Sequence, residues 1–217
     1  MSTVDRVQHE VMETLLRGDL APGAWLRQDE LAQRLGVSKI PVREALQRLA
    51  ALGLLRFETN RGARVPRLTV ADAEENYALR RAIEPRLLER AIDRATIVDH
   101  AEAEQALSGA DPSSAATNWR FHRALYRAAA WERGLAMVEI LHVAVAPYVV
   151  LYTADLGGAV DSDHEHHALL DACRRRDTTA ALELLDQHLA HAARAAIAFL
   201  DGRAPSTSSS GGAGNDT

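Results

Sequence analysis

Residues 28–53 constrain the fold of this chain most, because two short helical patterns flank a tight turn there. We expect the first helix, over residues 29–35, to end at Gly36, since the end of a helix often requires the positive φ that glycine adopts. Ser38 then occupies a helix N-cap position, and Pro41 lies in the first turn, where its missing N–H costs nothing. The pattern predicts a helix-turn-helix. Its inward-facing residues are Leu31, Ala32, Leu35, Val42, Ala45, Leu46, Leu49 and Ala50.

The second of these helices carries a basic, hydrogen-bonding face opposite its apolar face. Lys39, Arg43 and Gln47 recur every four residues, so they share one side of the helix. A short helix with such a face at its N-terminal half has what entry into the DNA major groove requires. The alternative is a solvated face on an ordinary helix, and this pattern alone does not exclude it.

The segments around the helix-turn-helix supply the other parts of a winged module. We expect a helix at residues 3–17, an extended segment at 25–26, and strands at 54–57 and 63–65. A hairpin after a helix-turn-helix is a wing whose tip can reach the flanking DNA backbone or minor groove. Arg61 at the tip, with Gly62 allowing a close approach, are the candidates for that contact. Taken alone this signal is weak, because any exposed hairpin can carry Asn-Arg-Gly.

Charge and composition favour a cytoplasmic protein with a basic N-terminal part. A single cysteine, Cys173, excludes an intrachain disulfide and fits a reducing compartment. Neither an apolar run of about 18 residues nor a signal-peptide pattern is present, so we expect no membrane span and no secretion. The net charge of −5 divides into +3 for residues 1–68 and −8 for residues 69–217. The basic part is therefore the one suited to a phosphate backbone.

From residue 69 onward the pattern is helical, in agreement with abundant alanine and only 5% aromatic residues. We expect helices over residues 72–93, 97–109, 114–130, 132–154, 162–176 and 178–200, with loops at 111–113 and 155–158. Pro85 and Pro147 fall inside two of these segments, so both helices should kink or be interrupted there. The tail after residue 200 is rich in Gly and Ser and is expected to be disordered.

The predicted class is mainly α, in three parts. Residues 1–68 form a winged helix-turn-helix domain that binds DNA. Residues 69–200 form an all-helical antiparallel bundle of about six to seven helices, for effector binding and dimerisation, and residues 201–217 form the tail.

Four residues of the bundle have side chains and positions that suit metal ligands. Asn118 and His122 are four apart in one helix, so both project from one face. His166 lies one turn into the fifth segment, and His188 lies midway along the last. Three imidazoles and one oxygen ligand from three helices suit Zn²⁺, Ni²⁺ or Mn²⁺. Spacing alone leaves the alternative open, since histidines scattered on alanine-rich helices are usually surface or satisfied core residues.

The N-terminal pattern resembles the winged-helix domain of the GntR family of bacterial transcription regulators, over residues 5–67. The motifs that carry it are Pro22-Gly23, Leu31-Ala32-Gln33-Arg34-Leu35-Gly36-Val37-Ser38, Pro41-Val42-Arg43-Glu44-Ala45-Leu46 with Leu49, Gly53-Leu54-Leu55 and Arg61-Gly62. With the wing, the resemblance implies a DNA-binding set of Arg34, Ser38, Lys39, Pro41, Val42, Arg43, Arg61 and Gly62. Many relatives have arginine where this chain has Lys39, and lysine cannot make the bidentate contact of arginine to guanine.

Residues 72–195 resemble the FCD ligand-binding domain of the FadR subfamily within that family. The motifs are Asn118-Trp119-Arg120-Phe121-His122, Glu165-His166-His167-Ala168-Leu169-Leu170-Asp171-Ala172 and Asp186-Gln187-His188-Leu189. The resemblance implies that a divalent metal binds Asn118, His122, His166 and His188. The family usually has aspartate at the position of Asn118. An amide oxygen can still coordinate but brings no charge, so metal affinity should fall and a carboxylate effector should be favoured.

Arg80 and His142 are the candidates for contact with such an effector. Arg80 has an equally good alternative in a salt bridge to Glu84, four residues later. His142 is placed to line the cavity. The helical phase of the remaining histidines near the ligands, His164, His167 and His191, points them elsewhere.

Three functions follow from these patterns. The first is a homodimeric repressor that reads a pseudo-palindromic operator in double-stranded DNA and responds to a small organic acid bound at a divalent metal. The second is a direct metal sensor that needs no organic effector. The third is a metal-dependent hydrolase, because His164-Glu165-His166-His167 resembles HExxH. The second histidine of that motif would fall at position 168, which is alanine. We therefore expect a regulator and not an enzyme.

Overall fold

A computed structural model describes residues 1–59, 61–108, 114–156 and 159–202, and all their side chains except those of 150–156 and 159–161. Within these ranges the N-terminal elements are α1 (Thr3–Leu16), β1 (Trp25–Leu26), α2 (Gln28–Leu35), α3 (Lys39–Ala51), β2 (Arg56–Glu58) and β3 (Gly62–Arg64). The C-terminal helices are α4 (Val70–Ile92), α5 (Ile97–Leu107), α6 (Ala115–Tyr126), α7 (Glu132–Leu156), α8 (Ala159–Arg174) and α9 (Thr178–Leu200). A 3₁₀ turn at Arg127–Ala129 follows α6.

Local sequence signals account for the helix-turn-helix. α1 begins at a capping box in which the Ser2 hydroxyl accepts from the Asp5 amide and the Asp5 carboxylate accepts from the Ser2 amide. Gly36 closes α2 with a φ of 64°, as expected. α3 then packs its apolar face against α1. The core residues of this contact are Val7, Val11, Leu15, Val42, Ala45, Leu46 and Leu49.

The wing is the outer part of a three-stranded antiparallel sheet in the order β1-β3-β2. Its existence was predicted, but β2 begins at Arg56 because Leu54 and Leu55 are buried in the core before it. Gly62 has a φ of 115°, and a Cβ there would lie 2.2 Å from the carbonyl oxygen of Leu26. Glycine is therefore required where β3 meets β1.

The bundle helices follow the predicted segments closely. Pro85 and Pro147 lie inside α4 and α7, and both helices continue past them without interruption. Packing explains this, since α4 contacts α6, α7 and α9, and most helical stability in proteins comes from such contacts. The third segment is also shorter than expected: α6 ends at Tyr126, and Ala130, with a φ of 54°, closes the 3₁₀ turn that follows.

The expected loop at 155–158 begins inside α7, which extends to Leu156. Residues 157–158, the expected loop at 111–113 and the tail from residue 203 lie outside the described residues.

The N-terminal part and the bundle share one hydrophobic cluster. α1 packs against both α6 and α7. The link between β3 and α4 is also fixed to the bundle, because the Leu68 amide donates to the Tyr148 hydroxyl of α7 at 2.7 Å. Among the described helices, none is long and apolar enough to cross a membrane.

Candidate functional site

Three helices bring three histidines together inside the bundle. His122 of α6, His166 of α8 and His188 of α9 are buried, and one potential ligand atom from each lies within 4.8 Å of the others. His122 Nε2 and His188 Nε2 are 3.3 Å apart. Two imidazole nitrogens that share a tetrahedral Zn²⁺ at about 2.0–2.1 Å would be separated by about 3.3 Å. The spacing therefore fits a common metal ion.

Asn118 lies at the edge of this cluster, one turn before His122 on α6. Its side-chain amide is 3.3 Å from His166 Nε2 through the atom assigned as nitrogen. The two ends of an asparagine amide are exchangeable by a half-turn, which would present the oxygen instead. The donor set is then three imidazole nitrogens and one amide oxygen, which suits a divalent transition metal.

The hydrogen bonds around the cluster fix which nitrogen of two histidines is free. His188 Nδ1 is 2.9 Å from Glu165 Oε2, and an ionised carboxylate only accepts, so Nδ1 donates. Tyr126 donates its hydroxyl proton to Glu84 Oε2 at 2.7 Å, so its oxygen accepts from His122 Nδ1 at 3.0 Å. In their neutral forms both histidines therefore direct an unprotonated Nε2 toward the same point. Two lone pairs facing each other at 3.3 Å favour a cation between them.

Burial favours the neutral form of His122 and His166, which is the form that binds a metal. Burial lowers the pKa of His122 and of His166 well below the usual histidine value, and the neighbouring His188 adds to both shifts. Burial, followed by the positive charge of Arg80, lowers the pKa of His142 to about 4. Burial would raise the pKa of Glu165, but its hydrogen bonds with His188 and His191 outweigh that effect and lower it.

A buried charged network adjoins the cluster. Arg80 Nε donates to Glu84 Oε1 at 2.6 Å, and Arg80 Nη2 lies 3.0 Å from His142 Nε2. Burial alone would raise the pKa of Glu84, but the charge of Arg80 and the contact with His142 hold it well below the usual value. The salt bridge that the sequence offered as the alternative for Arg80 is therefore formed. The ring of His142 lies 5.3 Å from that of His122, so it borders the cluster.

The other conspicuous surface is the outer face of α3. Lys39, Arg43 and Gln47 are exposed on it, and Arg34 and Ser38 are exposed beside it. Lys39 forms an exposed ion pair with Asp29 at 2.8 Å, which contributes little stability and can be exchanged for a phosphate. The Ser38 hydroxyl makes no capping hydrogen bond to α3.

Two residues of the expected DNA-binding set are buried in the structure. Val42 is 0% exposed, so its side chain packs in the core under the helix. Gly62 is also buried, and what approaches it closely is the carbonyl of Leu26. Pro41 is half-buried, whereas Arg61 is exposed at the wing. Arg61 borders a groove together with Arg27, a residue that the sequence analysis did not single out.

Comparisons with known proteins identify two family domains in the chain. The chain matches the description of bacterial regulatory proteins of the gntR family over residues 3–65 and that of the FCD domain over residues 75–191. It is 30% identical over 198 residues to the "Probable D-xylose utilization operon transcriptional repressor" of Paenarthrobacter nicotinovorans, across 87% of this chain and 86% of the relative. The chain belongs to the GntR family.

Solved structures of relatives have the same architecture. The E. coli protein McbR/YncC superposes with a TM-score of 0.80 at 26% identity, across 93% of this chain and 98% of that one. A GntR-family transcriptional regulator of Pseudomonas syringae pv. tomato superposes with a TM-score of 0.57 at 29% identity, across 92% and 86%. This GntR protein is thus a transcription regulator with a DNA-binding winged helix and a helical FCD domain. Its relatives are regulators and not enzymes, which sets the hydrolase alternative aside.

The sequence analysis missed Glu165 and Tyr126 as partners of the histidines. Tyr126 carried a usable signal, since it lies four residues after His122 on the same face of α6. The position of Glu165 in the sequence gave no such signal, because Glu165 approaches His188 and His191 only through the packing of α8 against α9.

Proposed function

We propose that this regulator is a homodimeric repressor whose affinity for its operator is set by a small organic acid bound at a divalent metal in the FCD domain. In this proposal residues 1–68 read DNA, and residues 69–200 bind the metal and effector and hold the dimer together. The observation that carries it is the pair of Nε2 atoms of His122 and His188 facing each other at 3.3 Å inside the bundle. The name of the Paenarthrobacter relative supports repression as the sign of regulation.

An anionic effector follows from the charge of the donor set. Three neutral imidazoles and the neutral amide of Asn118 leave the +2 charge of the ion uncompensated by its direct ligands. Glu84, the nearby buried carboxylate, is already paired with Arg80 at 2.6 Å. A carboxylate from a small organic acid would supply both a ligand and a negative charge. His142 borders the site and stays a predicted effector contact, as does Arg80, whose charge is matched by Glu84.

The DNA-binding half of the proposal rests on the exposed face of α3. Arg43 and Lys39 lie on its N-terminal half, with Arg34 and Ser38 beside them and Arg61 at the wing. One such module contacts too few base pairs for specific binding, so two modules related by a two-fold axis would read a pseudo-palindrome. Because its target is DNA, the protein would act in the cytoplasm of a bacterium.

Arg43→Ala tests the proposed contact of α3 with DNA bases, and Arg48→Ala is the matched control on the same helix. Arg48 forms an ion pair with Asp5 of α1 at 3.2 Å. We expect Arg43→Ala to weaken binding to an operator, selected by the wild-type protein from a random DNA library, by the about 1–3 kcal/mol of a base contact. Arg48→Ala should retain wild-type affinity. Specific binding by Arg43→Ala at full strength would refute the assignment of α3.

A thermal-shift screen of organic acids with and without Zn²⁺, Ni²⁺ or Mn²⁺ tests the effector half, since a ligand that binds the folded state raises the melting temperature. We expect a stabilising acid only when metal is present. A direct metal sensor is the second candidate, and it predicts that metal alone changes operator affinity while no acid adds to the effect.

Sedimentation at micromolar concentration tests the dimer, and a monomer would contradict the two-fold arrangement.

A further inference from the structure

We propose that Glu165 and Tyr126 are positioning residues of the metal centre, each holding one histidine by its Nδ1 so that Nε2 faces the ion. This inference rests on the proposed metal site. It goes beyond that site because neither residue is among the four expected ligands, and neither would touch the metal.

Glu165 acts on His188 from the neighbouring helix. Its Oε2 lies 2.9 Å from His188 Nδ1, and its Oε1 contacts His191 Nδ1. One carboxylate therefore bridges a buried histidine and an exposed histidine, three residues apart on α9. The bond fixes the tautomer and the ring orientation of His188 and makes its free nitrogen a stronger donor.

Tyr126 acts on His122 through a relay. The His122 Nδ1 proton is donated to the Tyr126 oxygen at 3.0 Å, and the Tyr126 proton is donated to Glu84 Oε2 at 2.7 Å. All three groups are buried. The relay holds His122 in the same tautomer as His188, so the two free Nε2 atoms face each other at 3.3 Å.

The two positioning residues differ in the charge they bring. The carboxylate behind Tyr126 is neutralised by Arg80, whereas Glu165 faces two imidazoles. Glu165 therefore places a negative charge one hydrogen bond away from the ligands of a site whose fourth ligand, Asn118, is uncharged. We infer that Glu165 partly replaces the charge of the aspartate usual at that position, and that its loss weakens metal binding more than the loss of the Tyr126 hydroxyl.

The test compares Glu165→Gln, Tyr126→Phe and the control Glu183→Gln in the full-length protein. Glu183 is exposed on α9, five residues before His188, so its variant removes the same charge without touching a histidine. Each protein is freed of metal by a chelator and then titrated with Zn²⁺ against a chromophoric competitor. We expect Glu165→Gln to bind about 10- to 100-fold more weakly, Tyr126→Phe to lose less, and Glu183→Gln to match the wild type.

Two further readouts separate positioning from a structural role. The melting temperature of metal-free Glu165→Gln should fall only slightly, because the glutamine oxygen can still accept from His188 Nδ1 and only the contact with exposed His191 is lost. The visible absorption of the Co²⁺ form should shift in Glu165→Gln and not in Glu183→Gln. Equal Zn²⁺ affinity for Glu165→Gln and wild type, or a metal-free variant that no longer unfolds in one cooperative transition, overturns the inference. A wild-type protein that binds no divalent metal refutes instead the proposed metal site.

Discussion

At the scale of single residues, breaking the buried charge pair between Arg80 and Glu84 should carry a large energetic cost. Its side chains are 4% and 0% exposed, and the carboxylate also accepts from Tyr126. Glu84→Ala would leave the guanidinium buried without a counter-ion, so we expect the free energy of unfolding to fall by about 3–5 kcal/mol. Urea denaturation of the metal-free protein at a fixed concentration measures this loss.

The matched control is an exposed pair between α4 and α9. Arg81 and Asp186 form a bidentate contact, but their side chains are 46% and 53% exposed. Solvent screens such a pair, so Asp186→Ala should cost at most about 1 kcal/mol in the same measurement. A cost for Glu84→Ala no larger than that for Asp186→Ala would show that the buried pair adds no stability.

Buried neutral histidines predict how stability depends on pH. Burial and then Arg80 lower the pKa of His142 to about 4 from its ordinary value of 6.5, and burial likewise lowers the pKa of His122 and His166. Below pH 6.5 the unfolded chain takes up protons that the folded chain excludes. Stability is therefore full above pH 6.5 and falls as the pH drops toward 4.

Between pH 6.5 and 5 each such histidine should remove about 1.6 kcal/mol from the free energy of unfolding of the metal-free protein. Urea titrations at a series of pH values measure the slope. A free energy of unfolding that stays constant from pH 7 to pH 5 would contradict the buried, neutral state.

At the scale of elements, the wing depends on the contact between β1 and β3 at Gly62. An alanine Cβ there would lie 2.2 Å from the Leu26 carbonyl oxygen, and the backbone φ is 115°. We expect Gly62→Ala to separate the two strands and to lower both stability and operator affinity. Gly53→Ala is the control, since its φ is 77° with no atom within 4 Å of the added carbon.

The control isolates the strain of a positive φ, about 1–2 kcal/mol, from the clash. Denaturant unfolding of both variants should therefore show a larger loss for Gly62→Ala. Equal losses would mean that strand pairing at Gly62 does not hold the wing.

Local chemistry explains why most elements could be predicted from the sequence. Gly36 and Ser38 mark the turn before α3. The capping boxes of Thr69 and Thr96 at the starts of α4 and α5 are local signals too, although the sequence analysis did not use them. The continuity of α7 past Pro147 has a different origin. A proline rule is local, whereas α7 is held in place by α1, α4, α6 and α9, which no short stretch of sequence encodes.

At the scale of the whole molecule, the metal-ligand candidates could be predicted, but the residues that orient them could not. The spacing of Asn118 and His122 is visible along one helix, and resemblance supplied His166 and His188. The approach of Glu165 to His188 and of Tyr126 to Glu84 depends on the packing of separate helices. For the same reason the burial of Val42, an expected DNA contact, was not foreseen, although its helix was predicted correctly.

The hydrogen bond from the Leu68 amide to the Tyr148 hydroxyl joins the two halves of the molecule at 2.7 Å. Tyr148 is buried on α7, six residues after His142, and Leu68 lies in the link to the winged helix. In Tyr148→Phe the link loses one net hydrogen bond, worth about 0.5–1.5 kcal/mol. We expect the Leu68 amide to exchange its hydrogen about 2- to 10-fold faster, as NMR-detected exchange measures.

The amide of Val65 is the internal control, because it donates to the Ala24 carbonyl at 3.0 Å within the winged-helix part. Its exchange should stay at the wild-type rate. If this bond helps to couple the bundle to the DNA-binding face, metal affinity will be unchanged in Tyr148→Phe while the change in operator affinity on chelation becomes smaller. That outcome requires the two states of the bundle to differ in how firmly they hold Leu68, because a contact equal in both states transmits nothing. If Leu68 exchange is unaltered in Tyr148→Phe, this hydrogen bond does not couple the bundle to the DNA-binding face. The packing of α1 on α6 and α7 is then the contact that couples them.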